Sequence, residues 1–118
     1  VAEIPLLSQP GVQWYYSVAV DIQGYIVQKL AGMSYGDFLE QHIFGPLGMT
    51  DTRFFVTEED QSRFAEVHNW DSERNRLVQR PHRKDRPNYL DANRLESGGG
   101  GLVSSIHDYA RFLQMLVN

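Results

Sequence analysis

Few side chains in this sequence can do chemistry, and the most suggestive is Tyr16, within Q-W-Y-Y-S-V-A-V-D-I-Q-G at residues 13–24. Ser17 is a good helix N-cap, because its hydroxyl can accept from a free backbone N–H of the first turn. Tyr16 then stands just before the cap, near the positive end of a helix dipole worth roughly half an elementary charge. That position favours a phenolate, and with it a tyrosine that can take up a proton. A phenol normally titrates near about 10, so one dipole cannot make it a base at neutral pH. Cations must stand beside it as well. The plainer alternative is an aromatic packing residue with its hydroxyl at the surface.

Other groups offer less. His42, His68, His82 and His107 show neither H-x-x-x-H nor H-E-x-x-H spacing, so packing or surface roles are expected rather than a metal site. The chain has no cysteine, which excludes a disulfide framework, a thiolate zinc site and a cysteine nucleophile. The run S-G-G-G-G at 97–101 precedes a helical pattern, as anion-binding loops do. It lacks both the G-x-G-x-x-G context after a strand and the lysine of a P-loop. The basic stretch R-P-H-R-K-D-R at 80–86 has no aromatic platform and reads as a solvated loop. With a net charge of −4, no nucleic-acid partner is expected. No apolar run approaches the roughly 20 residues of a membrane helix.

The elements that must position Tyr16 can be read from periodicity. The 118 residues suit one small domain, and their apolar and charged fractions are ordinary for a folded chain. Residues 1–11 form an irregular lead-in, because Pro5 and Pro10 both oppose regular structure. Val18, Ile22, Ile26 and Leu30 then recur every four residues, predicting a helix over 18–31 that Gly32 ends. Ser34 caps a second helix, with Asp37 three residues on in a capping-box-like pair. Tyr35, Phe38, Leu39, His42 and Ile43 share its inner face, and Gly45-Pro46 stops it because proline cannot continue the ladder. Leu47 and Met49 tuck back beneath these helices.

Residues 53–56 predict a short strand and 58–63 a short polar helix. A hairpin is expected between 65–70 and 76–79, across the polar turn D-S-E-R-N. Ser105 caps a third helix, with Asp108 three residues later, and Tyr109, Phe112, Leu113 and Leu116 keep helical spacing. The expected class is mainly α with one small β-hairpin, without internal repeats.

Three blocks of this sequence resemble a known family. They are P-G-V-Q-W-Y-Y-S-V-A-V-D-I-Q-G (10–24), A-G-M-S-Y-G-D-F-L-E-Q-H-I-F-G-P-L-G-M-T-D-T (31–52) and S-G-G-G-G-L-V-S-S-I-H-D-Y-A-R-F-L-Q-M-L (97–116). Together they cover about half the chain, in the family's order. They resemble the serine β-lactamase and penicillin-binding-protein-like hydrolases, above all the class C β-lactamases and the family VIII carboxylesterases. The resemblance implies that residues 1–118 are a partial domain: the tyrosine-motif loop, much of the helical region of an α/β transpeptidase-like fold, and a glycine-rich loop with the helix after it. The opening on Val1 and the close within a helical pattern at Leu116-Val117-Asn118 lead to the same expectation of a piece of a longer protein. Its helices should then expose an apolar surface where the rest of that domain docks.

The same resemblance implies an acyl-serine mechanism on a small-molecule ester or β-lactam, without metal or cofactor. Tyr16 would be the proton-transfer residue beside the nucleophilic serine. Nearby lysines would favour its phenolate, one of them from a Ser-x-x-Lys motif that also supplies the nucleophile. No serine in this chain has a lysine three residues later, and there is no Lys-Thr-Gly, so the chain alone is expected not to turn over substrate. Val18 occupies the third position of the tyrosine motif, where β-lactamases and transpeptidases typically carry asparagine. Valine can hydrogen-bond neither a lysine nor a substrate amide, which points towards carboxylic esters. Gly99 and Gly100 are implied to leave space for the acyl part of the substrate. The alternatives are a β-lactamase or D-Ala-D-Ala carboxypeptidase, and a non-catalytic penicillin-binding-like sensor or binding module, because fold alone does not fix function.

Overall fold

A computed structural model of the chain describes residues 3–16, 18–80 and 88–118. In order, its elements are α1 (Ala19–Ala31), α2 (Tyr35–Leu39), a π-helical turn (Glu40–Phe44), α3 (Gly45–Leu47), a 3-10 turn (Gln61–Arg63), β1 (His68–Asp71), β2 (Arg76–Gln79) and α4 (Ile106–Val117). This is the expected class, helices with one antiparallel hairpin. Ser17, the expected cap, and residues 81–87, most of the expected basic loop, lie outside the described residues.

Helix α1 begins one residue later than expected, with Val18 at the cap position and no side-chain acceptor there. Gly32 ends it at φ 69°, and its N–H bonds to the Gln28 carbonyl. The stripe Val18, Ile22, Ile26 and Leu30 is exposed throughout. The packed face is the opposite one, where Gly24 is buried and Val27 and Ala31 are half-buried. A Cβ on Gly24 would meet the Tyr35 ring at 3.2 Å, which is how closely α2 lies against α1. A helix apolar on two faces is built to sit between two layers. Only one of those layers lies among the described residues.

The second helix departs from expectation at Pro46. Ser34 caps it as predicted, its hydroxyl accepting from Asp37 N at 3.0 Å. The chain then widens into a π turn over Glu40–Phe44 and continues helically through Gly45-Pro46 to Leu47. Proline is disruptive where its ring strikes the carbonyl one turn back; a π turn re-spaces those carbonyls and absorbs the misfit. The stop comes at Gly48, φ 65°, where Gly48 N bonds to Gly45 O (3.0 Å) and Met49 N to Phe44 O (2.8 Å). That pair of bonds is a Schellman motif, and Phe44 and Met49 make its hydrophobic contact as members of one buried cluster. The extra residue per turn also shifts the register. His42, expected on the inner face, is exposed against the Phe38 ring at 4.5 Å, and Phe44 takes the buried place.

Leu39, Phe44, Met49 and Phe54 form the buried centre, with Tyr35, Phe38, Ile43, Leu47 and Phe112 around it. Helix α4 is fastened to this centre by polar groups. Ser105 caps α4, accepting from Asp108 N at 3.3 Å. Asp108 itself is 2% exposed. It reaches across the chain and accepts from Asp51 N (2.7 Å) and Thr52 Oγ1 (2.9 Å). Arg111, one turn on, donates to the Gly48 carbonyl. Beside this junction Arg63 grips Asp51 with two bonds, 3.0 and 2.9 Å, and also bonds to Asp60 at 2.9 Å.

The middle segment is more irregular than its sequence implied. The strand expected at 53–56 is reduced to one bridge, Arg53 with Val103, and the helix expected at 58–63 to the 3-10 turn. Phe54 and Val56 are buried there as expected of a strand's apolar positions, but the partner backbone is an isolated stretch before α4. The hairpin forms with His68 opposite Gln79 and Asp71 opposite Arg76. Asp71 Oδ1 accepts from the N–H of Glu73 and of Arg74, both at 3.0 Å, and Asn75 takes the left-handed position at φ 50°.

Candidate functional site

Two segments far apart in sequence meet at the start of α1. The first is the aromatic approach, 13–16, with Val18 behind it. The second is the glycine run, 97–101, which crosses the first two turns of the helix. Gly98 makes the crossing possible. A Cβ there would lie 2.3 Å from the Val20 carbonyl oxygen, 3.0 Å from its carbon and 3.4 Å from Gly24 N. Gly24 answers it from the helix, with only 3.5 Å between its own Cβ position and the Gly98 Cα. Two glycines facing each other therefore bring loop and helix into backbone contact.

A carboxylate ties the same two segments together. Asp21 Oδ1 accepts from Ser97 Oγ and from Gly99 N, the latter at 3.3 Å. The Ser97 hydroxyl, then the Gly99 N–H, hold the Asp21 carboxyl below its usual range. At the far end of the loop Arg94 Nη1 donates to Phe54 O (3.0 Å) and Gly101 O (3.1 Å), while its guanidinium lies over the Tyr89 ring at 4.1 Å. Gly101 has φ 123°, a conformation in which only glycine is unstrained.

Between the segments lies an open cleft of about 620 Å³. All four residues singled out in the sequence border it: Tyr16 and Val18 from one segment, Gly99 and Gly100 from the other. Trp14 lies 6.3 Å from the Tyr16 ring, and Tyr16 is 90% exposed. Gly100 faces open space, with nothing within 4 Å of where its Cβ would be. Among the described residues lining the cleft, the one charged side chain is Asp21, an anion. The cations that a tyrosinate would need are not in this lining.

Asp21, Ser97, Gly98 and Arg94 escaped the sequence reading. Asp21 carried a signal, since it is the one charge among apolar residues in the first turn of α1. Its partners lie 76 and 78 residues away, and no local spacing reveals such a pairing.

The whole chain, residues 1–118, matches the family described as Beta-lactamase. Protein Rv1367c of Mycobacterium tuberculosis is 37% identical over 99% of the chain and 28% of its own length. The lovastatin esterase of Penicillium rubens is 42% identical over 48% of the chain and 14% of its own length. Among solved structures, a mutant simvastatin synthase from Aspergillus terreus superposes with a TM-score of 0.73 at 26% identity, over 97% of this chain and 27% of that one. The chain thus spans less than a third of each of these proteins. Its fold matches a portion of the synthase's. The chain belongs to the β-lactamase family.

Proposed function

We propose that residues 1–118 form the tyrosine-bearing wall of an acyl-serine hydrolase acting on small carboxylic esters. The observation that carries this reading is the convergence of Tyr16 and Val18 with Gly99 and Gly100 on one cleft. Its volume is in the range of small-molecule sites, about 300–1,000 Å³. The nucleophilic serine and its lysine belong to a Ser-x-x-Lys motif that the sequence 1–118 does not contain.

In this mechanism Tyr16 Oη takes the proton of the serine hydroxyl as that oxygen attacks the ester carbonyl. It then returns the proton to the departing alkoxide, leaving an acyl-serine. Water then attacks the acyl carbonyl as Tyr16 takes its proton; the bond from the acyl carbon to the serine oxygen breaks, Tyr16 returns the proton to that oxygen, and the acid leaves. Lysine charge from outside this chain supplies what the helix dipole cannot, the stabilisation of a phenolate. Val18 gives the acyl pocket an apolar side and offers no partner to an amide. The relative named lovastatin esterase supports the choice of ester over β-lactam.

The test is Tyr16→Phe in the full-length protein, assayed on p-nitrophenyl butyrate. Loss of proton transfer lowers kcat/KM by about 10²–10⁴-fold. The melting temperature holds, because the substitution keeps the aromatic ring and removes only its hydroxyl. Residues 1–118 alone acquire no acyl adduct in intact mass spectra. A Tyr16→Phe enzyme within threefold of wild type, on the order of experimental scatter, refutes the mechanism.

A further inference from the structure

We propose that Asp21 is a positioning residue, whose carboxylate latches the glycine loop onto the first turn of α1 and so sets the width of the cleft for the acyl chain. This inference rests on the acyl-site reading above and deepens it.

The geometry separates two constraints on the loop. Gly98 supplies a hard stop, because the Val20 carbonyl and Gly24 lie against it and no closer approach is possible. Nothing in that contact keeps the loop from moving outward. Asp21 does, since one oxygen, Oδ1, accepts from both Ser97 Oγ and Gly99 N. These donors sit on either side of Gly98, so the latch closes over the stop.

Farther along, Arg94 Nη1 fixes Gly101 by its carbonyl. The loop is thereby pinned at 97, 99 and 101, and Gly100 projects unopposed into the cleft. The acyl chain lying between Gly100 and Val18 meets a wall whose distance is decided by one shared acceptor atom. Releasing that atom lets residues 99 and 100 swing away and enlarges the space for longer acyl groups. The function of Asp21 is acceptance at Oδ1 rather than charge. An asparagine keeps that atom and should keep the latch; an alanine should open it.

The experiment uses the full-length protein and p-nitrophenyl acetate, butyrate and octanoate. Asp21→Ala should raise the octanoate-to-acetate ratio of kcat/KM by about tenfold, the scale on which pocket size discriminates chain length. Ser97→Ala, which removes one of the two donors, should move the ratio the same way by less, and Asp21→Asn should stay within about twofold of wild type. Amide exchange at Gly99 should quicken in Asp21→Ala and not in Asp21→Asn.

A residue that merely holds the fold would lower the melting temperature and the rate on all three esters alike. An unchanged ratio in both Asp21→Ala and Ser97→Ala, with Tyr16→Phe inactive, overturns the latch and leaves the proposed function standing. If instead Tyr16→Phe is fully active, the acyl-site reading has failed. Gly99 exchange then decides the latch, and exchange at the wild-type rate in both variants overturns it.

Discussion

Replacing Gly98 with alanine is the sharpest probe of how this site is put together. The added methyl carbon would lie 2.3 Å from the Val20 carbonyl oxygen. Carbon and oxygen rarely approach closer than about 3.3 Å, even in C–H···O contacts. The shortfall is roughly 1 Å, and the obstruction is helix backbone rather than a side chain that could rotate away. Loop and helix must separate by about that amount, straining the Asp21 bonds to Ser97 and Gly99.

Overpacking of this kind destabilises by about 1–3 kcal/mol. A displacement near 1 Å at a catalytic wall lowers rate by about 10²-fold. Both quantities are accessible in the full-length protein, by thermal denaturation and by hydrolysis of p-nitrophenyl butyrate. Gly100→Ala is the control for stability, because its methyl group meets nothing within 4 Å. A Gly98→Ala protein with the melting temperature and activity of wild type would show that the backbone contact between loop and α1 does not exist.

Two further predictions concern the junction that holds α4. In Asp108→Ala the part-buried Asp51 N–H loses its acceptor, whereas the Thr52 hydroxyl can turn to Ser104 Oγ at 2.8 Å. One orphaned donor and the lost bonds cost about 2–4 kcal/mol, read from urea denaturation with faster amide exchange at Asp51; wild-type stability would refute the account. Arg63 holds the Asp51 carboxyl down to about 2. A lowered folded-state value means that the stabilisation is complete above the unfolded carboxylate's value of about 3.9. It is lost as pH falls through about 2. The stability difference between wild type and Asp51→Asn should therefore be constant near neutrality and vanish across that acidic interval, and a difference independent of pH would refute the pairing.

What the sequence determined by itself was carried by short-range rules. Helix spacing, the serine caps at 34 and 105 and the hairpin across residues 71–75 all depend on neighbours within a turn or two, and the structure has them. Tyr16, Val18, Gly99 and Gly100 could be singled out because family resemblance acts on the same local blocks. Tertiary structure decided the rest. The π turn that carries the helix through Pro46 exists because Phe44 and Met49 gain burial by it, an advantage that no propensity at Pro46 records. Asp108 reads as a capping acid, yet its side chain is buried and claimed by two donors from residues 51 and 52. Above all, the proposed site depends on where Asp21 and Gly24 meet Ser97, Gly98 and Gly99. Those contacts span more than seventy residues of chain. Hydrogen bonding and steric exclusion act through space, and sequence distance is silent about them.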